Sequence, residues 1–165
     1  MRFVVKEASP ESLPDLLKIA EETGMFLGEE LGFFQARLEL YFHALEVQEA
    51  PPEMLLAAWD NSQPANPPIG AVFIAPETMA QGVANLLFIG VLQEHRNKGI
   101  GGLLLNHFES FARSRGNRLG MIETGGNAMF APAWELYRRA GYEQIARIPD
   151  YYADGLDKLI FWKRL

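Results

Sequence analysis

Along the chain, apolar positions switch repeatedly between the two-residue rhythm of a strand and the roughly 3.6-residue rhythm of a helix. Residues 3–8 predict a first strand, and Ser9-Pro10-Glu11 opens a helix on which Leu13, Leu16, Leu17 and Ala20 recur at helical spacing. A second helix is predicted over 29–47, with Leu31, Phe34, Leu38, Tyr41, Phe42 and Leu45 on one face, and Pro51-Pro52 closes that section. Residues 54–59 predict a short strand, and the proline-rich 61–68 segment is a loop that no strand could absorb. Strands follow at 69–75 and 83–92, then a long helix over 99–115 with Leu104, Leu105, Phe108, Phe111 and Ala112 facing inward. A strand at 118–123 leads to a helix at 132–140, with Pro132 in its first turn and Gly141 just past its end. Two last strands, 142–148 and 158–162, flank an irregular loop over 149–157. The order β-α-α-β-β-β-α-β-α-β-β predicts an α/β fold: a mixed sheet with helices on both faces.

Composition narrows the class. A length of 165 residues suits a single domain, 1–165. Apolar residues at 48% and charged ones at 22% are enough to build an ordinary core. The longest apolar runs are strand-length, well short of the ~20 residues that cross a bilayer. Residues 1–7 lack a signal-peptide pattern, so no membrane partner and a cytoplasmic location are expected. There is no cysteine, which excludes disulfides, thiolate metal sites and an acyl-cysteine intermediate. A formal charge of −6 counts against nucleic-acid binding and mildly favours a cationic partner. His43, His95 and His107 share no ligand spacing, so no metal is expected.

The sharpest chemical signal is Val91-Leu92-Gln93-Glu94-His95-Arg96-Asn97-Lys98-Gly99-Ile100-Gly101-Gly102. A predicted strand ends, a basic, glycine-rich turn follows, and a helix begins inside the turn. Such an element presents unpaired backbone N–H groups and the positive end of a helix dipole, which together bind phosphate. The dinucleotide fingerprint does not fit, because position 104 is Leu, and the P-loop does not fit, because Lys98 precedes the glycine. The alternative is that these glycines only tighten a strand-to-helix connection.

Arg96-x-x-Gly99-x-Gly101 resembles the central motif of the GCN5-related N-acetyltransferase (GNAT) superfamily. Ala133-Trp134-Glu135-Leu136-Tyr137-Arg138-Arg139-Ala140-Gly141-Tyr142 looks like its second signature, in which Leu-Tyr precedes a Gly-aromatic pair. The resemblance implies an acyl-CoA N-acyltransferase fold with acetyl-CoA as cosubstrate. It implies that Arg96, Asn97, Lys98, Gly99, Ile100, Gly101 and Gly102 cradle the pyrophosphate. Ile89, Gly90 and Val91 would line the pantetheine arm as a false strand, with a backbone N–H near Val91 meeting the oxyanion. Amine attack on a thioester expels a thiolate, and a tyrosine hydroxyl can protonate it. The resemblance assigns that role to Tyr137, although its helical spacing also suits plain core packing.

Other roles rest on looser matches. Glu123 corresponds to the base of the N-terminal-acetylating branch, or is simply an exposed strand-end carboxylate. Asn127 resembles a coenzyme-binding asparagine, but relatives place it seven residues before the tyrosine, where this chain has Phe130. The 149–157 segment resembles an acceptor-holding loop with paired tyrosines, here Tyr151 and Tyr152, and an aromatic-capped hairpin explains it equally well. Across the groove, the 24–30 connection with Phe26 and Glu29 would form the acceptor wall, although a solvated helix start also accounts for its carboxylates. Arg113, Arg115 and Arg118 either reach the coenzyme's 3′-phosphate or form a solvated helix end. The expected activity is direct transfer of acetyl to a primary amine, on a small molecule or a protein N-terminus. A non-catalytic acyl-CoA sensor is the alternative. Dimers are common among the enzymes resembled, so a homodimer is one expected assembly.

Overall fold

The computed structural model describes residues 2–26, 28–48, 50–62 and 66–165. Its elements are β1 (Phe3–Glu7), α1 (Leu13–Glu22), α2 (Glu30–Glu46), β2 (Met54–Asp60), β3 (Gly70–Pro76), β4 (Val83–Val91), α3 (Ile100–Ser114), β5 (Leu119–Gly125), α4 (Ala131–Arg139), β6 (Glu143–Ala153) and β7 (Leu156–Arg164). This is the predicted order. The strands form one seven-stranded mixed sheet ordered β1-β2-β3-β4-β5-β7-β6. No described helix is long and apolar enough to cross a membrane. The chain divides into two compact units, Met1–Ile74 with Phe88–His107, and Ala75–Leu87 with Phe108–Leu165.

In the first unit β1, β2 and β3 run antiparallel, with Phe3↔Asp60 and Met54↔Ile74 fixing the register. Val72, Phe73 and Ile74 of β3 are buried in succession, so this strand shows a continuous apolar run rather than alternation. Helix α1 buries Leu16, Ile19 and Ala20, and α2 buries Phe34, Leu38, Tyr41 and Phe42. Phe34 centres an aromatic cluster with Phe26, Phe73 and Phe88. Leu45 departs from the predicted inward face: it lies in the last turn of α2, beyond the last buried side chain, and is 38% exposed. Apolar Phe33 and Leu40 also stand on the outer side of α2, which broadened its apolar pattern. Gly90 marks a close approach. A Cβ there would lie 2.6 Å from Phe88 and 2.9 Å from Ile19 and Thr23 of the α1 region.

In the second unit, Val83–Leu86 of β4 pairs in parallel with Leu119–Ile122 of β5, and β5, β7 and β6 continue antiparallel. Phe108, Ile122, Tyr137, Tyr142, Leu159 and Phe161 form its core. Phe111, predicted to face inward with them, is only half-buried and carries Arg115 over its ring. Buried Glu109 accepts from Lys163 (2.7 Å) and Arg113 (3.0 Å), and Lys163 also donates to the Ala140 carbonyl at the end of α4.

Two sequence expectations are corrected here. Strand β5 runs two residues past Glu123, placing that residue within the strand rather than at its end. The 149–157 segment is not an irregular loop but the distal part of a β6–β7 hairpin, closed at Asp154-Gly155. Gly155, at φ 76°, supplies the left-handed conformation such a turn needs. A bulge takes up the extra chain: Ile148↔Lys158 is followed by Ala153↔Leu156, five steps on β6 against two on β7. Pro149 therefore sits where no ladder N–H is required. Asp157 pins the bulge by pairing with Arg147 and accepting the Asp150 N–H (3.0 Å), while Asp150 accepts the Gly155 N–H (2.7 Å).

Candidate active site

The strand-to-helix turn is built almost entirely of main chain. After β4, His95 N–H donates to Leu92 and Arg96 N–H to Gln93, closing a short 3-10 turn. Asn97 (φ 59°) and Gly99 (φ 84°) then take left-handed conformations, and α3 starts at the buried Ile100. Only Asn and Gly enter that region readily, so the sequence can make this reversal. The next inward amide is Leu103 N–H, on the Gly99 carbonyl (3.0 Å). Among the described residues, the intervening N–H groups of Asn97, Lys98, Gly99, Ile100, Gly101 and Gly102 have no partner in the protein. Asn97, Lys98 and Gly99 are exposed, and Gly101 and Gly102 are half-buried. Six open donors at the start of a 15-residue helix are groups of the kind that bind anions.

The basic side chains of the turn fold back instead of outward. Arg96 donates to the carbonyls of Val91 (3.1 Å) and Glu22 (2.8 Å), and Lys98 to that of Glu94 (2.8 Å). Glu22 in turn accepts the Gln93 N–H through its carboxylate (2.8 Å). Glu22 was not singled out in the sequence, because nothing local connects it to a turn 71 residues away. Ile89 and Val91 are half-buried and Gly90 is buried. Phe26 stacks on Phe34 at 4.7 Å, and exposed Glu29 precedes α2, its carbonyl accepting from Gly32 and Phe33. Leu27, in the same connection, lies outside the described residues.

The second unit gathers side-chain chemistry. Tyr137 on α4 is 3% exposed, with the rings of Phe161 (5.5 Å) and Tyr142 (6.4 Å) against it. Burial pushes its phenol pKa far above the usual range, so it keeps its proton across neutral pH. Among the described residues its hydroxyl has no hydrogen-bond partner. Helix α4 is anchored to β5 by Trp134 Nε1 donating to the Gly125 carbonyl (2.9 Å). Asn127 presents a buried Oδ1 without a partner, an acceptor whose desolvation is left uncompensated until a donor arrives.

Glu123, 45% exposed, is held by Lys158, whose Nζ lies 2.5 Å from its carboxylate. Lys158 was also missed in the sequence, where it reads as one more strand residue. Tyr151 and Tyr152 are exposed on the β6 bulge with their rings 5.0 Å apart. The arginines near the end of α3 are engaged within the protein: Arg113 with Glu109, Arg115 over the Phe111 ring, and Arg118 with the Gln81 carbonyl. Among the described residues no cluster of His, Asp and Glu could hold a metal ion.

The sequence matches the model of the acetyltransferase (GNAT) family over residues 15–142. No protein of curated function matches it significantly. Among solved structures, a GNAT-family protein from Desulfovibrio desulfuricans is 24% identical with a TM-score of 0.82, over 98% of each chain. Ribosomal-protein-alanine N-acetyltransferase from Brucella melitensis is 20% identical with a TM-score of 0.78, over 98% of this chain and 99% of that one. The yncA protein of Salmonella typhimurium, solved with its cofactor acetyl-CoA, is 15% identical with a TM-score of 0.77, over 100% and 95%. At these identities the likeness is one of fold.

Proposed function

The chain belongs to the acetyltransferase (GNAT) family, and from that premise we propose that residues 1–165 act as one cytoplasmic N-acetyltransferase domain moving acetyl from acetyl-CoA to a primary amine. The observation that carries this reading is the run of six unpartnered amides from Asn97 to Gly102. Open amides at Ile100, Gly101 and Gly102 are common to any helix start, but the run continues back through Asn97, Lys98 and Gly99, more donors than a plain connection requires. In this reading the amides take the diphosphate of the coenzyme. Arg96 and Lys98 hold the turn open by bracing its carbonyls, and lend it positive charge. The backbone of Ile89, Gly90 and Val91, past the last residue of the parallel register, takes the pantetheine arm. The orphaned Asn127 oxygen accepts a donor of the same ligand.

The cosubstrate supplies an activated acetyl thioester; the chain supplies position and protons. A phenol carries its proton at neutral pH and can pass it to a leaving thiolate, and Tyr137 is assigned that role by its place in the Leu136-Tyr137…Gly141-Tyr142 motif; burial, by raising its pKa, makes it a weaker acid in the unliganded protein. A main-chain N–H near Val91 stabilises the oxyanion. Glu123 takes the proton of the incoming amine, through water. The acceptor is a primary amine on a small molecule or a protein N-terminus. The fold shared with the Brucella enzyme and the tyrosine pair on the β6 bulge support the latter.

Two measurements test this. Coenzyme A should raise the melting temperature, by a free energy of about 2.7 kcal/mol at a hundredfold excess over Kd. Free thiol should then appear from acetyl-CoA with at least one member of a panel of amines and N-terminal peptides. No thermal shift removes the cradle. A shift without thiol release leaves an acyl-CoA sensor.

A further inference from the structure

Lys158 is a buried cation that the scheme above does not use. We propose that it is the positioning residue of the acceptor side, fixing Glu123 and Tyr151 relative to one another for acetyl transfer. This rests on the transferase reading.

Lys158 lies in the middle strand of the β5-β7-β6 segment, opposite Gly125 of β5 and Ile148 of β6. Glu123 is two residues from Gly125, so its side chain leaves β5 on the same face, diagonal to Lys158. Lysine is rarely buried unless paired, yet Lys158 is only 7% exposed. Its desolvation is offset by two groups from different strands. One is the Glu123 carboxylate; the other is the face of the Tyr151 ring, 4.3 Å from Nζ. Tyr151 belongs to the bulge that Asp157 pins through the Asp150 N–H, so main chain and cation together fix its ring.

A carboxylate beside an aromatic face is the arrangement that receives an ammonium. Here the chain's own ammonium fills it. The incoming amine therefore meets an oriented, charge-compensated carboxylate instead of a bare negative site. Selection of the acceptor falls to shape and hydrogen bonding at the tyrosines, and attraction of a cation plays little part.

The test uses the full chain and whichever panel amine or peptide gives the fastest thiol release. Lys158→Met should lower kcat/KM for the acceptor about tenfold or more, leaving the KM for acetyl-CoA and the coenzyme thermal shift unchanged. Lys158→Arg should restore most of the loss. The double variant with Glu123→Gln should be no worse than Glu123→Gln alone, because both remove one coupled unit. Unaltered acceptor kinetics in Lys158→Met, multiplicative losses in the double variant, or an equal rise in acetyl-CoA KM would each overturn the proposal. A second readout does not depend on Lys158→Met folding. The lysine ammonium 15N spectrum should contain a slowly exchanging signal that is absent in Lys158→Arg and lost in Glu123→Gln. Its survival in Glu123→Gln would also overturn the proposal. A wild-type protein without turnover is a different outcome: the transferase reading fails first, and this inference fails with it.

Discussion

The turn after β4 and the region around Glu123 use opposite materials. In the turn, side chains are spent on structure and the main chain is left open: Arg96 and Lys98 close on carbonyls while, among the described residues, six amides have no partner. Around Glu123 the main chain is committed to the β5–β7 ladder and the proposed chemistry falls to side chains, with Lys158 paired to Glu123 and its ammonium over the Tyr151 ring. A diphosphate is large, anionic and constant, so a rigid array of backbone donors suits it. Proton transfer needs groups with adjustable pKa, which only side chains provide.

The contrast is most sharply tested at Tyr137. Tyr137→Phe should lower turnover by about 10²-fold or more, with coenzyme affinity nearly unchanged, measured by thiol release and calorimetry. Equal loss of both would mean that the hydroxyl serves coenzyme binding rather than proton transfer. Next in size is Lys163→Met, which leaves buried Glu109 with Arg113 alone. It should cost about 2 kcal/mol in urea unfolding, below the 3–5 of a carboxylate stripped of its only partner.

Gly102→Val probes the open main chain. A Cβ at 102 meets nothing within 4 Å, so the fold should survive. Coenzyme affinity should nevertheless fall about tenfold, or ~1.4 kcal/mol. Unchanged affinity would place the diphosphate elsewhere. The smallest effect lies outside both regions, at Asp60. Bonds from Ser62 and Arg2 hold its pKa at about 2, below the ordinary 3.8. Because the folded value is the lower one, its contribution to stability is complete above pH ~4 and is lost as pH falls towards ~2. Asp60→Asn should lack that component of the acid-unfolding curve.

The two regions also differ in how far the sequence revealed them. The turn was legible because a strand end, glycines at fixed offsets and a helix start are all local, and main-chain geometry follows from them. Tyr137 was found through its neighbours Leu136 and Gly141, again a local pattern. Lys158 and Glu22 were not found, since each gains meaning only from a partner far along the chain. Over 149–157 the sequence leaves an irregular loop and an aromatic-capped hairpin as equal alternatives, because Pro149 and Asp150 look like loop residues; the structure has the hairpin. What makes them strand residues is a bulge held by Asp157, an arrangement that no local window shows.

Local sequence alone was enough to determine the order of the elements, the glycine-rich strand-to-helix turn and the absence of cysteine chemistry, because backbone preference and residue inventory are properties of short segments. Tertiary structure alone decided which charges neutralise one another, Lys158 with Glu123 and Lys163 with Glu109, and that Arg96 folds back onto main-chain carbonyls. Such pairing depends on strand register and helix packing, which bring together residues that are distant in the chain.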